Sequence, residues 1–163
     1  GGYTFKGAWK PRIGLEYSHG SGDGNATDDG QGAFQNLYPT NHPHYGYMDT
    51  FSWSNIHDAV LHLSAKPIPQ LTAGIDWHSF WLADTADTWR RANARTVVRS
   101  ANRAASSYAG SELDVLFIYA PRPQFSITGG YSHFFAGKYY KYTPGVAGGD
   151  DGDFFYAQYQ WNF

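Results

Sequence analysis

The segment "WRRANARTVVRSANR" gathers Arg90, Arg91, Arg95, Arg99 and Arg103 into one stretch bounded by Trp89 and Tyr108. A guanidinium stays charged at any physiological pH and grips a carboxylate through two parallel N–H bonds. Arg91, Arg95, Arg99 and Arg103 recur every four residues, a spacing that aligns them on one face if the stretch is helical. Set against Asp84 and Asp87, the five arginines leave a local excess of +3 in a chain of net charge -2. Such a loop attracts anions. A loop that recruits carboxylated polymers and an ordinary solvated loop that draws any anion account for the five arginines equally well.

A second set of ionisable residues is spread thinly along the chain: Lys6, Arg12, Glu16, Asp58, His62, Lys66, Asp76, His78, Glu112 and Asp114. Mixed signs of this kind suit the wall of a water-filled channel, where they tune selectivity. They do not make a strongly basic conduit. "GDGNATDDG" and "GGDDGD" bring Asp23, Asn25, Asp28 and Asp29, and then Asp150, Asp151 and Asp153, together in Gly-rich stretches. Oxygen-rich loops can hold calcium, but Asp28 stands where an EF-hand loop needs glycine, so solvated turn chemistry is favoured. His42 and His44 lack a third ligand at zinc spacing. No G-x-S-x-G, H-E-x-x-H or phosphate-loop motif is present. Ser79 beside His78 and Ser132 beside His133 do not make a nucleophile and base. The expectation is therefore no catalytic residue, no metal and no cofactor.

These residues sit on a chain with strict two-residue alternation. In residues 153–163 the side chains of Phe155, Ala157, Tyr159, Trp161 and Phe163 fall on one side, and those of Tyr156, Gln158, Gln160 and Asn162 on the other. The same pattern recurs over residues 124–135, 111–120, 70–83, 55–66 and 12–19, with a partial strand at 3–9, which makes about seven strands. Short turns carrying proline ("WKPR", "KPIPQ", "APRP") alternate with long loops at about 20–52 and 84–110 and ahead of residue 153. The alternation predicts Leu61, Trp77, Phe117, Tyr119, Ile127, Tyr159 and Trp161 on one surface and Asp76, His78, Asp114 and Gln158 on the opposite one. Arginine is expected to be costly at Phe117 and tolerated at Asp114.

Composition decides what the apolar surface meets. The 163 residues include 13 Tyr, 11 Phe and 6 Trp, yet no run approaches the ~18–20 apolar residues of a membrane-spanning helix. Mean hydropathy is below zero, as a transmembrane β-barrel permits because its strands need only about ten alternating residues. Aromatic residues near strand ends and loops that are short at one end and long at the other favour an outer-membrane barrel over a soluble sandwich or lipocalin-like barrel. The absence of cysteine constrains the redox compartment weakly. The small net charge gives no pull toward nucleic acid.

At "PRIGLEYSHGSGD", "FQNLYPTNHPHYGYMDTFSWSNIHD", "HSFWLADTADTWRRANARTVVR" and "GSELDVLFIYAPRP" the chain resembles the alginate export family of porin-like outer-membrane barrels. The resemblance runs from about residue 11 onward and is most specific in the "LYPTNH…GYMD" and "FWLADTADTWR" blocks. It implies an all-β antiparallel transmembrane barrel in the bacterial outer membrane, with residues 1–163 as the C-terminal part of one barrel domain. The implied function is a passive channel for polar or anionic solutes, anionic polysaccharide such as alginate included. The implied surroundings are outer-membrane lipid, lipopolysaccharide and the barrel-assembly machinery. Seven strands leave two open edges that lipid cannot satisfy, so missing strands or further chains are expected to close the ring. The competing reading is an interaction barrel whose long loops dock partner chains.

Overall fold

The computed structural model describes residues 1–25, 28–38, 40, 42–91, 104, 106–144 and 150–163, together with the backbone of 96–97. Seven strands form one antiparallel sheet. They are β1 (Gly2–Thr4), β2 (Arg12–Gly20), β3 (Ile56–Ile68), β4 (Leu71–Trp81), β7 (Tyr108–Arg122), β8 (Phe125–Ala136) and β9 (Gly152–Trp161). A two-stranded ribbon, β5 (Trp89–Arg90) and β6 (Thr96–Val97), lies in the connection between β4 and β7. A five-residue helix, α1 (Lys138–Tyr142), precedes β9. The sheet order is β1-β2-β3-β4-β7-β8-β9, so each strand pairs only with its neighbours in the sheet's chain order and the sheet is not closed on itself.

All three long connections, 21–55, 82–107 and 137–151, leave the same end of the sheet, and the short ones, 5–11, 69–70 and 123–124, leave the other. Two prolines expected within turns belong instead to the strands. β3 runs through Pro67 and β7 through Pro121, and the register shifts between Ala65 and Ile68 and between Tyr119 and Arg122. Proline cannot donate to a ladder, and an irregular stretch at the strand end is where the missing N–H is tolerated. The strand expected at 3–9 is shorter, with only Gly2–Thr4 paired to β2. Trp9 and Lys10 take positive φ of 67° and 42° and turn the chain back.

The alternation holds across the whole sheet. Reading one transverse row, Gly14, His62, Asp76, Asp114, Ser132 and Phe154 are aligned from β2 to β9. Even-numbered residues therefore share one face and odd-numbered residues the other. The odd face is exposed and aromatic, with Tyr17 63%, Phe155 73%, Tyr159 77% and Trp161 56% accessible.

The buried core lies elsewhere, where the loops fold over the even face at their end of the sheet. Phe51, Ile56, Phe80, Leu82, Trp89, Ala109, Phe134 and Tyr139 pack there. Trp89 is its centre. Its ring stacks on Phe51 at 4.7 Å and meets Tyr140 edge-on at 4.7 Å, and its indole N–H donates to the Thr50 carbonyl at 2.7 Å. The three connections are thereby joined to one another and to Phe80 of β4 and Phe134 of β8.

Candidate functional site

The even face divides into a half that the loops cover and a half they leave open. On the open half, His62 of β3 donates through Nδ1 to Asp76 of β4 at 2.7 Å, and its Nε2 lies 3.6 Å from the Glu16 carboxylate of β2. Gly14, which carries no side chain, stands directly opposite His62, and a Cβ there would touch the His62 Cβ at 3.4 Å. Arg12 is exposed one step further down β2 and reaches Thr4 Oγ1 at 3.3 Å. Lys66 is exposed at the turn end of β3. Lys6 falls in the β1–β2 turn rather than on a strand, because the first strand stops at Thr4.

The covered half repeats the acid–imidazole–acid arrangement one strand over. His78 of β4 donates through Nδ1 to Asp58 of β3 at 2.9 Å, while its Nε2 lies 3.7 Å from Asp114 of β7. Asp58, His78, Glu112 and Asp114 lie on the face that the alternation assigns to them, but all are buried beneath the loops. Glu112 is what the first long loop stands on. Its carboxylate accepts the Met48 backbone N–H at 2.8 Å and the Thr50 hydroxyl at 3.2 Å. Gly46 makes that approach possible, since it has φ of +86° and a Cβ there would sit 2.5 Å from Glu112 Oε1. Beside it, the Tyr47 ring stacks on Tyr156 of β9 at 5.1 Å and 8°. Tyr156 in turn lies flat over Gly130 of β8, where a Cβ would meet its ring at 2.5 Å. Burial raises the pKa of the Tyr47 hydroxyl.

The arginine-rich stretch is seen in part. Arg90 grips Asp87 with both terminal nitrogens, at 2.8 and 3.0 Å, and is thus a structural clamp rather than a free cation. Arg91 is exposed and reaches the Tyr140 hydroxyl at 3.3 Å. Arg95, Arg99 and Arg103 lie outside the described residues. Asp87 also accepts the backbone N–H of Asp23 and of Thr88, so it ties the first long loop to the second. Burial alone would raise its pKa, but the Arg90 and backbone N–H bonds outweigh that and hold the carboxyl below the usual range.

A carboxyl with a depressed folded value contributes stability above its unfolded pKa of ~3.9 and loses it as pH falls through the folded value. The loops should therefore resist protease at pH 5 and lose that resistance below about pH 4. Asp87→Asn should be cut at both pH values. An acid limb of the same size in the Asn variant would assign the effect to other carboxylates.

Of the aspartates in the Gly-rich stretches, Asp23 and Asp28 act as turn acceptors for the Asn25 N–H at 3.2 Å and the Gly30 N–H at 3.0 Å, whereas Asp151 accepts the Ala136 N–H of β8 at 2.9 Å and Asp153, within β9, bonds Tyr131 and His133. Among the described residues no three acids or histidines converge as metal ligands. His42 pairs with Asp49 at 3.3 Å. Ser79 and Ser132 each sit on the face opposite to the neighbouring histidine, since consecutive strand residues point apart; Ser79 bonds Ser111 and His133 bonds Asp153.

A cavity of about 280 Å³ opens between β2 and the first long loop, against Glu16 and Ser18. Sequence reading missed it, because its walls come from segments some twenty to forty residues apart that alternation does not relate. Tyr45 at its edge is buried, which pushes its hydroxyl up to about 12 against the opposing effect of a bond with Ser18.

A family model described as alginate export matches residues 1–152. No curated protein matches the chain.

Proposed function

The chain belongs to the alginate export family, and on that premise we propose that it forms part of the wall of a porin-like channel in the bacterial outer membrane. The cargo is polar or anionic solute, anionic polysaccharide such as alginate among them. The observation that supports this reading is the division of one sheet into two surfaces of opposite chemistry. The odd face is apolar and carries exposed aromatic rings on β2, β4, β7, β8 and β9, which suits lipid. The even face carries Arg12, Glu16, His62 and Asp76 in the open, which suits water. Within this reading residues 1–163 are the C-terminal part of one barrel domain, further strands or chains complete the ring, and the barrel-assembly machinery inserts it. Lipopolysaccharide meets the loop end. The protein acts as a transporter and not as an enzyme.

Arg12, Glu16, His62 and Asp76 are the proposed pore-lining residues. Asp58, His78, Glu112 and Asp114 instead seat the loops that narrow the channel. Full-length protein reconstituted in planar bilayers should conduct ions. Absence of any conductance would overturn the channel reading and leave the packed loop platform as a docking surface for partner chains.

The arginine-rich loop is proposed to concentrate anions at the outer mouth. Changing Arg91, Arg95, Arg99 and Arg103 to Gln should lower anion preference at low ionic strength and matter little at 1 M salt, where the screening length is about 3 Å. Arg90 is left in place because it clamps Asp87. Selectivity unchanged at low salt would leave the even face as the filter.

A further inference from the structure

We propose that the 280 Å³ cavity between β2 and the first long loop binds a neutral sugar ring. The volume is just under the roughly 300–1,000 Å³ of pockets that hold drug-sized ligands, a size suited to a single sugar ring. Two kinds of group converge on it. Trp53 and Tyr38 supply aromatic surface. The Trp53 indole N–H is already donated to the His19 carbonyl at 2.8 Å, and its ring is held against Phe34 at 5.0 Å, so what remains toward the cavity is apolar. Tyr38 is 87% accessible, a large exposed ring with no packing role among the described residues.

Polar groups occupy the rest of the wall. Glu16 presents two acceptor oxygens, and among the described residues its only ion-pair neighbour is His62 Nε2 at 3.6 Å, too far for a hydrogen bond. Asn36 and Thr40 also line the cavity, and neither has a hydrogen-bond partner among the described residues. Adjacent ring hydroxyls can donate to both oxygens of a carboxylate while accepting from an amide, and the C–H face of the ring covers an aromatic side chain. This pairing of unfilled acceptors, an amide and bare rings is the chemistry of a sugar.

Charge separates the sugars that fit. A uronate would place its carboxylate against Glu16, and the described lining holds no lysine or arginine to receive it, His44 being its one other ionisable group apart from tyrosine. The site therefore selects a neutral ring from among the polar solutes of the proposed channel. Its place in transport rests on that channel reading, whereas its binding does not.

The test is titration calorimetry on full-length, detergent-solubilised protein with maltotriose, cellotriose, N,N′,N″-triacetylchitotriose and trigalacturonate. At least one neutral trimer should bind ten-fold or more tightly than trigalacturonate at physiological salt. Tyr38→Ala and Glu16→Gln should each weaken that binding by ten-fold or more with an unchanged melting temperature, since both side chains are exposed. The inference is overturned if no neutral trimer binds, if trigalacturonate binds as well or better, or if both variants bind like the parent protein. Single-channel recording on the same preparation keeps the two readings apart. Conductance without block by a neutral trimer sinks the site alone, and sugar binding without conductance sinks the channel alone.

Discussion

Trp89→Ala should loosen all three long connections at once and cost about 3–5 kcal/mol, the range for removing a fully buried aromatic side chain. Trp89 is 1% exposed and touches a different connection on each side: Phe51 and the Thr50 carbonyl from the first, and Tyr139 and Tyr140 from the third. The strands depend on it little, because their ladders pair beneath the loops with a single register shift, between Phe80 and Trp81. The expected signature is therefore selective. Limited proteolysis should cut within 21–55 and 82–107 while heat-modifiable mobility on gels, the mark of an intact barrel, is retained. In bilayers the same variant should show larger or noisier currents. A variant with intact loops and parental currents would show that the aromatic cluster is incidental to the channel's width.

Phe117→Arg should destabilise the protein in lipid vesicles by about 2–4 kcal/mol, whereas Gln158→Arg should be close to neutral. The two positions form a matched pair. Phe117 of β7 is opposite Gly129, which is opposite Ala157 of β9, so Gln158 lies one residue along at nearly the same depth but on the even face. Both are exposed. Asp114, the position that alternation alone nominates for tolerance, is a poor control, because it is buried under the loops beside His78 and Glu112 and arginine there would displace them. Equal losses at Phe117 and Gln158, measured by urea titration of vesicle-folded protein, would mean that the odd face does not meet lipid.

Much of this architecture was legible in the chain because a strand writes its two surfaces into alternate letters. Tyr159 and Trp161 against Gln158 and Gln160 fix the terminal strand, and the same parity carries Glu16, His62, Asp76, His78, Glu112 and Asp114 to one face. Loops obey no such period. Phe80 and Phe134 are even-numbered aromatics that break the polar pattern, and only the folded loops explain them, since they are the floor on which Phe51, Trp89 and Tyr139 stand. Arg90 read as one of five similar cations until Asp87, three residues away in sequence, was seen to hold it. The helix Lys138–Tyr142 was hidden in a Gly- and Tyr-rich stretch with no cap signal, and it is stabilised by burying Tyr139 rather than by helix propensity. The sugar-sized cavity belongs to the same class of feature, assembled by tertiary packing between β2 and residues 36–53.

The placement of every long connection at one end of the sheet and every short turn at the other sets unequal rules for how the chain can diverge. Lengthening a long connection between its packed anchors adds closure entropy slowly, about 0.6 kcal/mol for each doubling of length, and leaves the strands in register. The turns at 69–70 and 123–124 already abut a register shift each, so a further residue there that slips the pairing by one would exchange the two surfaces of the strand that follows, setting carboxylates where rings had been. New specificities can thus accumulate at one rim of the sheet by insertion, whereas the opposite rim is confined to substitution in place.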